Sequence, residues 1–182
     1  MSEHIEDIKQ WVRSFRGDVE AVKSVVDTET IDDRGRKLAA AALNYLVTRH
    51  DLVPDHNETI GMLDDVMVLR VCMRLANAYD IDEQIADDDD LRRVTNMMAD
   101  SATVASLLGD ELYGKFTKYC ARLTEVAVRG RSPEQIVENE KARKELYEEV
   151  ERDILRMPAP SFEDADDVMV RFTSYLHHKL NA

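Results

Sequence analysis

No Cys-x-x-Cys pair, no long apolar run and no alternating β-branched stretch occurs anywhere in this chain. The two cysteines, Cys72 and Cys120, lie in separate helical patterns, which fits a reducing compartment where each acts as a small buried hydrophobe. No segment approaches the roughly 18 apolar residues of a membrane helix, and the start, Met1 to Trp11, is acidic and lacks a signal peptide's apolar stretch; a cytosolic protein is expected. Without strand-like alternation, helix remains as the only regular element, so the expected fold class is all-α. Motifs are scarce too: there is no Glu-x-x-His for a di-iron bundle and no His-Glu-x-x-His for zinc.

Positive charge is also in short supply. Across 182 residues, 24 Lys and Arg face 37 Asp and Glu, a formal net charge of −13. The imbalance is concentrated in residues 1–91, with 10 basic against 21 acidic side chains, whereas residues 92–182 hold 14 against 16. Such a field repels phosphate backbones, so nucleic acid is not an expected partner; the short clusters Arg34 to Lys37, Arg92-Arg93 and Arg129 to Arg131 are the available basic candidates. Arg outnumbers Lys 16 to 8, which together with the acidity suggests a GC-rich bacterial or salt-adapted origin.

The hydrophobic content of 44% is enough for a real core. Ile5, Ile8, Val12, Phe15, Val19, Val22 and Val26 repeat at alternating spacings of three and four, one apolar seam for packing within the domain or against a second copy. Gly17-Asp18 interrupts it and suggests two helices meeting there. A helix with Leu38, Ala41, Ala42, Tyr45 and Leu46 should run to about Arg49. The stretch Met62 to Tyr79, apolar nearly all the way round, belongs at the centre of a bundle. An acidic loop, Asp80 to Asp90, leads to a helix from Leu91, and another is expected from Leu107 to Val128. Ser132-Pro133 starts a helix that reaches Met157, with a middle polar on every face; after Pro158 and Pro160 the residues Phe162, Ala165, Met169, Phe172, Leu176 and Leu180 trace the last one. The expectation is a bundle of six or seven helices, with residues 1–80 as one helical domain and 81–182 as a helical extension packed with it.

The most informative stretch lies between Tyr45 and Val66. Pro54 fixes its own φ and disfavours helix at Val53, so the preceding helix must stop by about Asp51. Asp51, Asp55 and Thr59 are placed to cap, Gly61 to adopt a positive φ, and Asp64 and Asp65 to meet the positive end of the next helix. Tyr45-Leu46, Asp51-Leu-Val-Pro-Asp55, Gly61 and Leu63-Asp-Asp65 followed by an apolar helix resemble the signature of the YkvA-type family of bacterial proteins of unknown function, over residues 38–79. The resemblance implies a helical hairpin joined by a Pro/Gly turn and carries no catalytic residues. This chain departs from the family pattern in having Arg49-His50 before the first Asp and the polar His56 to Thr59 after the second.

Two function classes follow. The leading one is a non-catalytic interaction or regulatory module that meets a protein partner or another copy of itself and needs no cofactor. The alternative is a divalent-metal site for Ca²⁺, Mg²⁺ or Mn²⁺, with phosphohydrolase chemistry, built from Asp51, Asp55, Glu58, Asp64 and Asp65 with His50 or His56 nearby, since hard cations take carboxylate oxygens. Asp55-x-Asn57-x-Thr59 copies the opening of an EF-hand loop, yet Gly61 falls at the seventh position and Val66 at the twelfth, where a bidentate Glu is required. His50-Asp51 lacks the further ligands of an HD-type phosphohydrolase, and His177-His178 lacks a phosphotransfer context.

Overall fold

Four of the helices start where a side chain accepts their first free N–H groups. Asp32 accepts from Arg34 N, Asp87 from the amides of Asp89 and Asp90, and Asn139 from those of Lys141 and Ala142. Ser132 and Gln135 form a reciprocal capping box ahead of Pro133. A computed structural model describes residues 4–48, 52–53, 62–155 and 165–181. Among them are seven α-helices and no strand: α1 Ile5–Asp27, α2 Asp33–Tyr45, α3 Leu63–Ala76, α4 Asp88–Arg122, α5 Pro133–Glu138, α6 Glu140–Ile154 and α7 Ala165–Leu180. The fold is an all-α bundle. None of these helices is long and apolar enough to cross a membrane. Pro54 and Gly61, expected in the turn between α2 and α3, lie outside the described residues, as do Pro158, Pro160 and Phe162.

Several helix boundaries differ from the sequence expectation, each for a local reason. α1 runs unbroken through Gly17, where a Cβ would come within 2.4 Å of Arg93 Nη1; the glycine admits a guanidinium and does not end the helix. α2 stops at Tyr45, four residues short of Arg49. α4 begins at Asp88 because Asp87 is its cap; the two helices expected here meet within it at Gly109, whose φ 73° and ψ 160° are not helical. It ends at Arg122, followed by a 3₁₀ turn over Leu123–Glu125 and a tight reversal in which Arg129 and Gly130 both have positive φ. The helix from Pro133 breaks at the extended Asn139, which splits it into α5 and α6. The polar segment after the break is not simply solvated: Leu146 and Val150 are buried, and Arg143 and Tyr147 both reach Asp27 at the end of α1.

α2 and α3 form the interior. Ala39 to Leu43 are almost wholly inaccessible, and the small side chains allow α1 and α3 to approach closely. Every residue from Leu63 to Met73 is buried, including Asp64, Asp65 and Arg70. α1 contributes Ile8, Trp11, Phe15, Val19, Val22 and Val26, while Ile5 and Val12 of the expected seam are only partly covered. α7 buries Val168, Met169, Phe172 and Leu176, in contact with α4.

Arg70 joins three of these helices. Its Nη2 donates to Asp18 Oδ2 of α1 at 3.1 Å, its Nε to Asp100 Oδ2 of α4 at 3.1 Å, and its Nη1 to the Val66 carbonyl at 2.9 Å. The guanidinium lies 4.5 Å from the centre of the Trp11 ring, and Arg93 adds a second contact to Asp18 at 3.6 Å. Burial pulls Arg70 below the usual arginine range, opposed by the two carboxylates, and burial pushes Asp100 above the usual carboxylate range. Replacing Arg70 with Leu leaves Asp18 buried without its main counter-charge. We expect a loss of about 3–5 kcal/mol in urea unfolding, with a smaller loss when Asp18→Asn is added to the same chain.

The helices also bring Cys72 and Cys120 together inside the core, where burial, with Cys72 alongside, pushes the Cys120 thiol well above its ordinary pKa. Neither thiol should react with a soluble disulfide reagent in the native protein, and both should react at once in concentrated guanidinium chloride. Rapid labelling of either under native conditions would contradict this placement.

Candidate functional site

Of the residues proposed for the acidic turn, Asp64 and Asp65 are described; Asp51, Asp55, Glu58, His50 and His56 lie outside the described residues. Asp64 sits in the first turn of α3 and does not cap it, since the residue at the cap position, Met62, makes no side-chain cap. Its Oδ2 instead accepts the Tyr45 hydroxyl of α2 at 2.5 Å and the Val53 N–H at 3.1 Å. The Tyr45 hydroxyl in turn accepts the Leu52 N–H at 2.9 Å. One carboxylate thereby ties α2, α3 and the backbone of residues 52–53 into a single buried unit. Burial, reinforced by the Asp64 charge, drives the Tyr45 phenol well above its ordinary pKa, so it stays a neutral donor. Asp65 is buried beside it, at 2% exposure. Among the described residues, no group of three or more His, Cys, Asp or Glu side chains is placed to hold a metal ion.

The three basic clusters noted in the sequence are all committed to carboxylates. Arg34 pairs with Asp32, Arg36 with Asp33 and Lys37 with Glu134. Arg92 and Arg93 both reach Asp89. Arg129 and Arg131 converge on Glu149, whose carboxyl is held below its ordinary value chiefly by the Arg131 hydrogen bond. His177 and His178 are exposed on the last turn of α7.

A different set of cations surrounds a cleft of about 570 Å³ between α2, α4, the segment after α4 and the end of α7. Tyr45, Tyr119, Leu123, Val126 and Leu180 are among its apolar walls, the two tyrosine rings meeting edge to face at 6.3 Å and 87°. Lys115, Lys118 and Arg122 from α4 and Lys179 from α7 also line it. Lys115 is shared between Glu111 and the side-chain oxygen of Asn181, which ties α4 to the end of α7. Lys118, Arg122 and Lys179 form no ion pair with any described residue. Asn44, 1% exposed, belongs to the same wall; its Nδ2 donates to the Arg131 carbonyl, and its Oδ1 has no partner among the described residues. Val126, also in the lining, is an apolar side chain left 45% exposed.

Sequence reading passed over this cleft because it looked for contiguous basic runs. The signal present was Lys115, Lys118 and Arg122 at spacings of three and four, one face of a helix, interleaved with Tyr119 and Leu123. Lys179 carries no such signal, since only folding brings α7 alongside.

Compared with protein-family models, curated proteins and solved structures, the chain matches none.

Tyr45→Phe removes the donor to Asp64 and the acceptor of the Leu52 N–H while keeping the ring. We expect a loss of about 1.5–3 kcal/mol in chemical denaturation, because the bond to a buried carboxylate is charge-assisted. A change below about 0.5 kcal/mol would mean that the clasp is not formed in solution.

Proposed function

We propose that this protein is a non-catalytic helical binding module of regulatory type, and that the cleft between α2, α4 and α7 is where it takes its partner. The observation that carries this reading is the combination of an apolar wall and uncompensated cations in a chain of net charge −13. A cleft of this volume falls in the range of small-ligand sites, and cations of one sign around low-dielectric walls focus a positive field there. The side chains at hand are suited to holding a ligand: the lining offers ammonium and guanidinium groups and two phenols, that of Tyr45 already engaged by Asp64. The partner crosses from α4 to the end of α7, so its presence strengthens the docking of α7, the regulatory element of the reading. The resemblance of residues 38–79 to the YkvA-type family is part of the same proposal. It is supported by the joining of Tyr45, Leu52, Val53 and Asp64, all within that signature, in one hydrogen-bonded unit.

A general amphipathic anion, 1-anilinonaphthalene-8-sulfonate, tests the site without assuming the natural partner. We expect saturable one-to-one binding to the native protein, with backbone amide shifts centred on Tyr119, Leu123, Val126 and Leu180. Binding without saturation, or shifts elsewhere, would remove the cleft as the site. The reading also expects no ion-specific rise in Tm on adding Ca²⁺, Mg²⁺ or Mn²⁺ to chelator-treated protein at about 100 times a plausible dissociation constant, where a bound ion would add roughly 2.7 kcal/mol.

A further inference from the structure

We infer that the occupant of this cleft is a free acyl-chain monocarboxylate of medium length, an inference that rests on the binding-module reading and names its ligand class. The ligand must present two kinds of surface at once. Tyr45, Tyr119, Leu123, Val126 and Leu180 offer an apolar bed that recognises a hydrocarbon body by the area it buries. Lys118, Arg122 and Lys179 offer donors only, and no described carboxylate balances them, so they call for an anion and reject a second cation.

The opposite polarity, a cationic amphiphile, would add positive charge to four existing cations. A neutral apolar ligand would leave Lys118, Arg122 and Lys179 without a counter-charge. A folded protein partner meets a different obstacle: stable protein interfaces bury about 800 Å² on each side, whereas this site is a concave cleft of about 570 Å³ with a single prominently exposed apolar side chain, Val126, in its lining. Charge complementarity and shape together point to one slender chain with one anionic head. Lys179 and Leu180 line the site from α7 and Lys118 and Tyr119 from α4, so a single molecule of this kind has both an ionic and an apolar contact with each helix.

Sodium decanoate, kept below micelle formation, is the probe, titrated into the full chain and followed by calorimetry and by amide shifts. Acetate supplies the head without the chain and decanol the chain without the head. The expected result is saturable one-to-one binding of decanoate at Tyr119, Leu123, Val126 and Leu180, with affinity rising about two- to fourfold per added methylene from hexanoate to decanoate. Acetate and decanol should bind at least about tenfold more weakly. The double variant Lys118→Glu, Lys179→Glu alters two exposed side chains, should leave the Tm unchanged, and should weaken decanoate by at least about tenfold; Lys118→Arg should preserve binding. Equal binding of decanol and decanoate, or no effect of the charge reversal in a variant of unchanged Tm, would overturn the assignment. The naphthalene sulfonate separates the two levels of the argument. If it occupies the cleft and decanoate neither binds nor displaces it, the acyl carboxylate is wrong and the binding module stands; if neither ligand binds there, both are wrong.

Discussion

The fold hangs on the guanidinium of Arg70. A charge that far from water is costly to bury, and it is tolerated because two carboxylates, one backbone carbonyl and an indole face meet it from three different helices. Each of those helices is placed by its contribution. α1 must present Asp18 and Trp11 on one face, α4 must present Asp100, and Gly17 must lack a side chain so that Arg93 can close over Asp18. An apolar residue at position 70 would pack these helices with less demand on geometry. The charge makes one arrangement far better than its neighbours, since any shift of α1 against α3 would strip a buried ion of its partner.

Asp64 performs a related task one and a half turns earlier on α3, facing the other way. There the carboxylate is the buried group, and neutral donors from Tyr45 and the Val53 backbone meet its Oδ2. α3 is thus a largely apolar spine with two ionic fasteners, one joining it to α2 and the incoming chain, the other to α1 and α4. Tyr45 connects this interior to the surface, because the ring whose hydroxyl meets Asp64 also lines the cation-bearing cleft and touches Tyr119 on α4.

Net charge describes this protein poorly until charges are paired. The clusters that look basic in sequence are neutralised by neighbours on the same or adjoining helices, and they serve as caps and cross-links with little field left over. Lys118, Arg122 and Lys179 are among the cations left without an ion pair to a described residue, and no contiguous run announces them. The distribution of unpaired charge, and not its total, is what makes this surface a candidate site.

Periodicity and capping chemistry alone determined a good deal: an all-α bundle of this helix count, the central position of α3, and the start at Ser132. These depend on residues within one or two turns of each other, where the chain's own geometry enforces the contact. Boundaries at Gly17, Gly109 and Asn139 were less legible, because a glycine in a helix reads the same whether it ends the helix, bends it or makes room for an arginine. Only the tertiary structure decided what Asp64 and Arg70 do, since their partners lie 19, 30 and 52 residues away along the chain. The cleft is further still from local logic: it exists because α2, α4 and α7 converge, and the charge that completes it, Lys179, comes from a helix whose place is set by the burial of Phe172 and Leu176. A carboxylate in the first turn of a helix is a cap by default, and it becomes a clasp when packing carries it out of water and a tyrosine from another helix arrives to meet it.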